Sequence, residues 1–200
     1  MVEQQILNRI LVKKAEIPDR PILVAVDGRC ASGKSTVAAW LSASVGCAVF
    51  SMDDFFLQPG MRTEERLATP GGNVDHARFL KEVLAPLSQG ERLISWQPYD
   101  CGTQCLLKGR QQATCPINII EGAYSHHPEL SAYYDLRIFL TVDPELQWQR
   151  ILARNGPARA ERFKMRWIPL EEAYFEAFHI EEQADAVFDG GQLNLGGKKI

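Results

Sequence analysis

The chain has 200 residues, 46% of them hydrophobic and 24% charged, which suits one globular domain with a buried core and excludes a disordered or fibrous chain. A formal net charge of -3 and a pI near 5.8 leave no basic footprint for a long polyanion, so nucleic acid is not an expected partner. No apolar run approaches the roughly 20 residues needed to cross a bilayer, and Cys30, Cys47, Cys101, Cys105 and Cys115 match no zinc-type spacing, so a cytoplasmic protein with reduced thiols and no membrane contact is expected.

At the N-terminus Val2, Ile6, Ile10 and Leu11 recur at helical spacing. Ile22 to Val26 is a short β-branched run that predicts a strand, and Ser35 to Val45 predicts a helix ending at Gly46. Cys47 to Ser51 reads as a second buried strand. Phe56 to Asn73, rich in Pro, Gly and charge, reads as a mobile loop. Ala77 to Leu87 predicts an amphipathic helix closed by Gly90, and Leu93 to Trp96 a short strand.

Further on, Ile117 to Ile120 and Leu136 to Val142 are continuous apolar runs of strand length, and Glu145 to Arg154 carries helical spacing after Pro144. Asn155 to Arg166 is basic with little periodicity and reads as a second mobile loop. Leu170 to Ala184 predicts a helix, Ala186 to Phe188 a last strand, and the Gly-rich tail Gly190 to Gly197 a frayed end. Strands alternating with helices imply an α/β fold with a parallel sheet covered on both faces, as a single domain over 1–200.

Between the first strand and the first long helix lies Gly28-Arg29-Cys30-Ala31-Ser32-Gly33-Lys34-Ser35, which satisfies GxxxxGK[ST] in the strand-loop-helix setting that this P-loop pattern requires. Successive N–H groups of such a loop point at phosphate oxygens, and the helix N-terminus adds partial positive charge. Lys34 is placed for the β- and γ-phosphates, Ser35 for Mg²⁺ and Thr36 for the α-phosphate, so ATP and Mg²⁺ are the expected cofactors.

A P-loop alone does not separate a kinase from a switch or a motor. The acids at the strand ends do more. The second strand runs into Met52-Asp53-Asp54-Phe55-Phe56, putting Asp53 where a carboxylate could take a substrate hydroxyl's proton and help hold Mg²⁺. Ile117 to Ile120 ends at Glu121, a second candidate metal ligand. Arg154, Arg159 and Arg162 in the basic stretch are candidates for stabilising charge on the transferring phosphoryl group. His76, His126, His127 and His179 show no ligand spacing.

Taken together, GRCASGKS, MDDFF, NVDHARF, QPYD and IIEG follow the order of, and resemble, landmarks of the uridine kinase and phosphoribulokinase family of P-loop kinases. The resemblance implies a three-layer α/β/α P-loop NTPase fold with a parallel five-stranded core, a small β-ribbon insertion for the acceptor at about 56–105, and a basic lid at about 155–169. It implies Asp53 as catalytic base and Mg²⁺ ligand and Glu121 as metal ligand. Phe56, Asp75, Tyr99 and Asp100 would lie on the acceptor side, with Asp75 on a ribose-type hydroxyl. From the residues alone, Asp75 could equally cap the helix that follows, and Tyr99 could pack at a strand end.

Where uridine kinases place a His shortly after this tyrosine and aspartate, the chain reads Cys101-Gly102-Thr103-Gln104. The acceptor is therefore open between a nucleoside such as uridine and another small alcohol, as in pantothenate kinase or phosphoribulokinase relatives. A nucleotide-dependent regulatory ATPase is the reading from a different class, and a homo-oligomer is left open.

Overall fold

In the computed structural model, which describes residues 1–194, the chain begins with helix Val2–Glu16 (α1), strand Ile22–Gly28 (β1), helix Lys34–Val45 (α2) and strand Ala48–Ser51 (β2). A short helix, Glu64–Ala68 (α3), precedes a helical stretch over 76–88 made of His76–Phe79 (α4), a π-helical turn Leu80–Leu84 and Ala85–Ser88 (α5). Strands Leu93–Trp96 (β3), Tyr99–Asp100 (β4), Cys105–Leu106 (β5) and Arg110–Ala113 (β6) follow, then Ile117–Glu121 (β7). The remainder is Pro128–Ser131 (α6), Leu136–Thr141 (β8), Pro144–Asn155 (α7), Pro157–Arg162 (α8), a π-helical segment Phe163–Trp167, Ile168–Phe178 (α9) and Ala186–Asp189 (β9).

The core sheet is parallel, in the order β2-β7-β1-β8-β9. All seven residues of β1 and all five of β7 are buried, as strands covered on both faces require. Alternation then sorts the side chains. Val24, Val26, Ile119, Ile138 and Leu140 pack with Ile6, Ile10, Val37 and Leu41 of α1 and α2 on one face. Leu23, Phe50, Ile120 and Phe139 pack on the other with Phe79, Leu84, Tyr174 and Phe175. Parallel strands bring all five carboxyl ends to one edge, which is where such sheets bind ligands.

A separate antiparallel ribbon pairs β3 with β6 and β4 with β5. Leu93–Trp96 therefore belongs to the ribbon and not to the core sheet. Trp96 closes on Phe50 edge-on, with ring centroids 5.5 Å apart, which fastens the ribbon's base to β2.

Several expectations are corrected. The basic segment Asn155 to Arg166 is helical from Pro157 onward, not a loop. Pro157 occupies a first-turn position, Ala158, Ala160 and Glu161 are good helix formers, and fully buried Ala160 packs with Ile151, Cys30 and Phe163. With so narrow an apolar face, no periodicity is visible. Phe56 to Asn73 contains α3, capped by Thr63, and Arg66 straps the segment back by donating to Gly72 O and Val74 O. The helix expected over Leu170 to Ala184 stops at Phe178, because His179 takes a left-handed conformation (φ 50°) and Ile180 N bonds back to Phe175 O.

The tail is not frayed where it is described. Gly190 lies so close to the P-loop that a side chain would collide with Ser32 O, and Arg150 donates to both Ala31 O (3.0 Å) and Gly190 O (3.1 Å). Residues 195–197 of that expectation lie outside the described residues. Among the described residues no helix is long and apolar enough to cross a membrane, and all five cysteines are free thiols.

Candidate active site

The P-loop leaves β1 at Gly28, whose φ of 138° and contact with Leu140 admit no side chain: a Cβ there would collide with the Leu140 carbonyl on the neighbouring strand. Asp27, fully buried just before it, organises the entry. Its Oδ1 accepts Gly28 N–H at 2.7 Å, and Oδ2 accepts His126 N–H and the Tyr174 hydroxyl, both at 2.9 Å.

Not every amide of the predicted cradle is open. Arg29 N–H is taken by Leu140 O, Cys30 N–H by Glu171 Oε2 (2.8 Å) and Ser32 N–H by Arg29 O. Among the described residues, the N–H groups of Ala31, Gly33, Lys34, Ser35 and Thr36 have no protein acceptor, an anion-receptive row at the N-terminus of α2. Buried Lys34 crosses the loop and donates to Gly28 O at 2.6 Å and Arg29 O at 2.9 Å. Arg29, expected among the nucleotide-binding positions, turns its side chain away. It pairs with Glu172 and Glu181, each at 2.9 Å, and donates to Thr141 Oγ1 at 3.0 Å.

Strand order brings the acids together. Because β7 lies between β1 and β2, Glu121 stands between the P-loop and the second strand, and its two oxygens accept from Ser35 Oγ (2.9 Å) and Ser51 Oγ (2.7 Å). Burial raises the Glu121 carboxyl, with the Asp53 charge adding to that and both serine bonds opposing it. Asp53 sits on the 3₁₀ turn Met52–Phe55, started by Ser51, whose side chain accepts Asp53 N–H. Its carboxylate reaches solvent yet is crowded by surrounding protein, which raises its pKa; Lys34 and Arg154 pull the other way, and Asp54 adds to the rise. No described residue bonds to the Asp53 carboxylate. Ser35 Oγ, Glu121 and Asp53 are hard oxygen donors beside a phosphate cradle and fit Mg²⁺ chemistry.

Asp54, next in sequence, is structural. It accepts the Trp96 indole N–H at 2.8 Å and pairs with Arg110 at 3.3 Å, holding both arms of the ribbon. Of the residues expected on the acceptor side, Asp75 caps α4 by accepting Arg78 N–H at 3.0 Å. Tyr99 is buried, and its hydroxyl accepts from Arg62. Asp100 folds onto its own turn, accepting Gly102 N–H, Thr103 N–H and the Thr103 hydroxyl, and these bonds lower its pKa. Phe56 lies near Trp167 at the end of the basic segment, with ring centroids 6.5 Å apart.

Of the three arginines expected to serve a lid, Arg154 lies close enough for its charge to act on Asp53 and Cys30, and it stacks over Phe163. Arg159 and Arg162 are exposed on α8.

The folding brings His76 and His127 into a stack, ring centroids 3.9 Å apart and planes 15° from parallel, with Glu129 close by. Such rings direct their in-plane lone pairs side by side instead of at one ion. His127 Nδ1 already accepts Glu129 N–H, and burial beside His127 pushes His76 down to about 3, keeping it neutral. The sequence reading missed Asp27, Arg62 and Glu171 in the site region. Asp27 alone had a local signal, its place directly before the P-loop.

No family model matches the chain. Among solved structures, a candidate uridine kinase from Bacillus stearothermophilus is similar over 92% of this chain and 100% of its own, with TM-score 0.64 and 20% identity. A candidate fructose transport system kinase from Silicibacter sp. TM1040 covers 85% of this chain and 90% of its own, with TM-score 0.67 and 24% identity. YFH7 of Saccharomyces cerevisiae, a candidate P-loop kinase with a circular permutation, covers 94% and 99%, with TM-score 0.70 and 11% identity. The chain shares the fold of these structures. At these identities the likeness concerns architecture: the parallel five-stranded core and flanking helices that the resemblance implied.

Proposed function

We propose that this protein is an ATP-dependent kinase that transfers the γ-phosphate to a hydroxyl of a small molecule. The observation that carries this reading is the Ser35–Glu121–Ser51 bridge, which joins the P-loop to the second strand end and sets Asp53 beside it. A phosphate cradle, an acid to help hold the metal and a second acid free to act as base are the parts that in-line phosphoryl transfer asks of a protein.

In this mechanism the open amides and Lys34 hold the triphosphate, and Ser35 and Glu121 hold Mg²⁺ with Asp53. When bound, Mg²⁺ neutralises charge on the β- and γ-phosphate oxygens. Asp53 orients the acceptor hydroxyl and takes its proton as the oxygen attacks the γ-phosphorus. The bond to the bridging oxygen breaks and ADP leaves. A carboxylate with a raised pKa is the better base for that proton. Arg154 shares the developing negative charge.

A nucleoside-like acceptor is the reading that follows from the uridine kinase resemblance. The alternative, another small alcohol, is favoured by the ribbon tip, where exposed Gln104 and no histidine follows Tyr99 and Asp100. Incubation with γ-labelled ATP, Mg²⁺ and a panel of nucleosides, polyols and hydroxy acids tests the reading. Label is expected on at least one alcohol; acceptor-independent hydrolysis alone would point to a regulatory ATPase instead.

A further inference from the structure

Near the proposed acceptor end lies a cation with no counter-charge among the described residues. Arg62 donates from Nε to Leu57 O at 2.9 Å and from Nη2 to the Tyr99 hydroxyl at 2.6 Å, with its guanidinium 5.6 Å from the Tyr99 ring centroid. Among the described residues no carboxylate lies within ion-pair distance of it, and its Nη1 has no partner. Tyr99 is 4% exposed and accepts from Arg62, so its own O–H is left to donate, with no acceptor among the described residues. A guanidinium offers five donors and no acceptor. The pair therefore presents hydrogens and positive charge only.

Its position relates it to the reacting end. Strand β4, which carries Tyr99, packs against the turn that carries Asp53, and the nearby Cys101 thiol feels both Arg62 and Asp53. The closest acid on the ribbon, Asp100, is satisfied by its own turn. A half-buried guanidinium held by two neutral oxygens gains most from an ionised partner, since charge-assisted pairs are shorter and roughly twice as strong as neutral ones.

We propose that Arg62, with Tyr99, receives an anionic group of the acceptor, a carboxylate or a phosphate ester, while the acceptor's hydroxyl meets Asp53. The substrate class is a small anionic alcohol. This rests on the kinase reading above and narrows it.

The test compares paired acceptors with labelled ATP: D-glycerate against glycerol for the carboxylate, and ribose 5-phosphate against ribose for the phosphate ester, with uridine as the neutral nucleoside. The wild type is expected to favour one anionic member over its neutral partner by at least about tenfold in kcat/KM. Arg62→Met should raise the KM for that acceptor roughly 10- to 100-fold, as loss of a charged hydrogen bond does, while the KM for ATP moves by less than about threefold. Arg62→Lys should recover part of the loss, and a merely structural role would not restore the preference for charge. Preference for glycerol, ribose or uridine, or an Arg62→Met variant that discriminates as the wild type does, overturns this inference and leaves the kinase reading standing. Transfer to no alcohol removes the kinase reading and this inference with it.

Discussion

Glu171 and Cys30, 141 residues apart, meet at the rim of the P-loop, where the Glu171 carboxylate accepts the Cys30 backbone N–H at 2.8 Å. Burial pushes the Glu171 carboxyl up from 4.5 to about 7, with Lys34 and the Cys30 N–H opposing that rise. The folded protein thus binds the Glu171 proton more tightly than the unfolded chain does. The stabilisation is fully present below about pH 4.5 and is lost as pH rises to about 7, by on the order of 3 kcal/mol. Glu171→Gln keeps an oxygen for Cys30 N–H but carries no charge, so its stability relative to wild type should increase with pH across this window. Urea unfolding of both proteins from pH 4.5 to 8 checks this; a difference that stays constant with pH would show that Glu171 does not titrate there.

The Asp53 carboxylate accepts no bond among the described residues, so its replacement should cost chemistry and not binding. Asp53→Ala is expected to lower phosphoryl transfer by about 10²- to 10⁴-fold, the range for a lost general base. The affinity for ATP without Mg²⁺ should stay within about threefold, because the cradle amides and Lys34 are untouched. Equilibrium binding and single-turnover transfer, measured on the same preparation, separate the two. Normal turnover would remove Asp53 from the mechanism.

Glu121 joins Ser35 to Ser51, and in the proposed enzyme it gives both bonds up in part to the metal. Glu121→Gln can still accept from one serine, so the fold should survive. The Mg²⁺ concentration for half-maximal transfer should rise by at least about tenfold, because a hard cation loses a carboxylate. A Mg²⁺ titration at saturating ATP reads this directly, and an unchanged midpoint would take Glu121 out of the metal site.

Arg29 ties the P-loop to α9 through Glu172, to the turn after it through Glu181 and to the end of β8 through the Thr141 hydroxyl, and its guanidinium lies 5.6 Å from the ring centroids of both Phe139 and Phe175. Arg29→Met keeps much of the aliphatic packing and loses the charge. With partners partly exposed, a stability loss of roughly 1–2 kcal/mol is expected from chemical denaturation. A change within about 0.3 kcal/mol would mean that solvent already screens these pairs.

Asp54 anchors the ribbon through Trp96 and Arg110, and among the described residues its carboxylate makes no bond to the P-loop. Asp54→Ala should therefore loosen the acceptor side selectively, raising the acceptor KM several-fold, by about 1 kcal/mol, with the KM for ATP nearly unchanged. Equal effects on both would place Asp54 in nucleotide binding instead.

What the amino-acid sequence determined by itself is what depends on short separations. The Gly28 to Ser35 loop, the strand before it and the helix after it are one contiguous signal. Asp53 and Glu121 were legible because each directly follows a short apolar run, and a parallel sheet brings all such ends to one edge. The helical character of 157–166 was not legible because the apolar face there is only Ala160 and Phe163 wide, and the stop at His179 was not because no glycine marks it.

Only the tertiary structure decided which residues share the site. Strand order β2-β7-β1 places Glu121 between Ser35 and Ser51. The ribbon's return brings Tyr99 to Arg62, and α9 brings Glu171 to Cys30. These pairings join residues 37 to 141 positions apart. Local spacing carries no record of such distances, because the pairs exist only once the two buried faces of the sheet have chosen their helices.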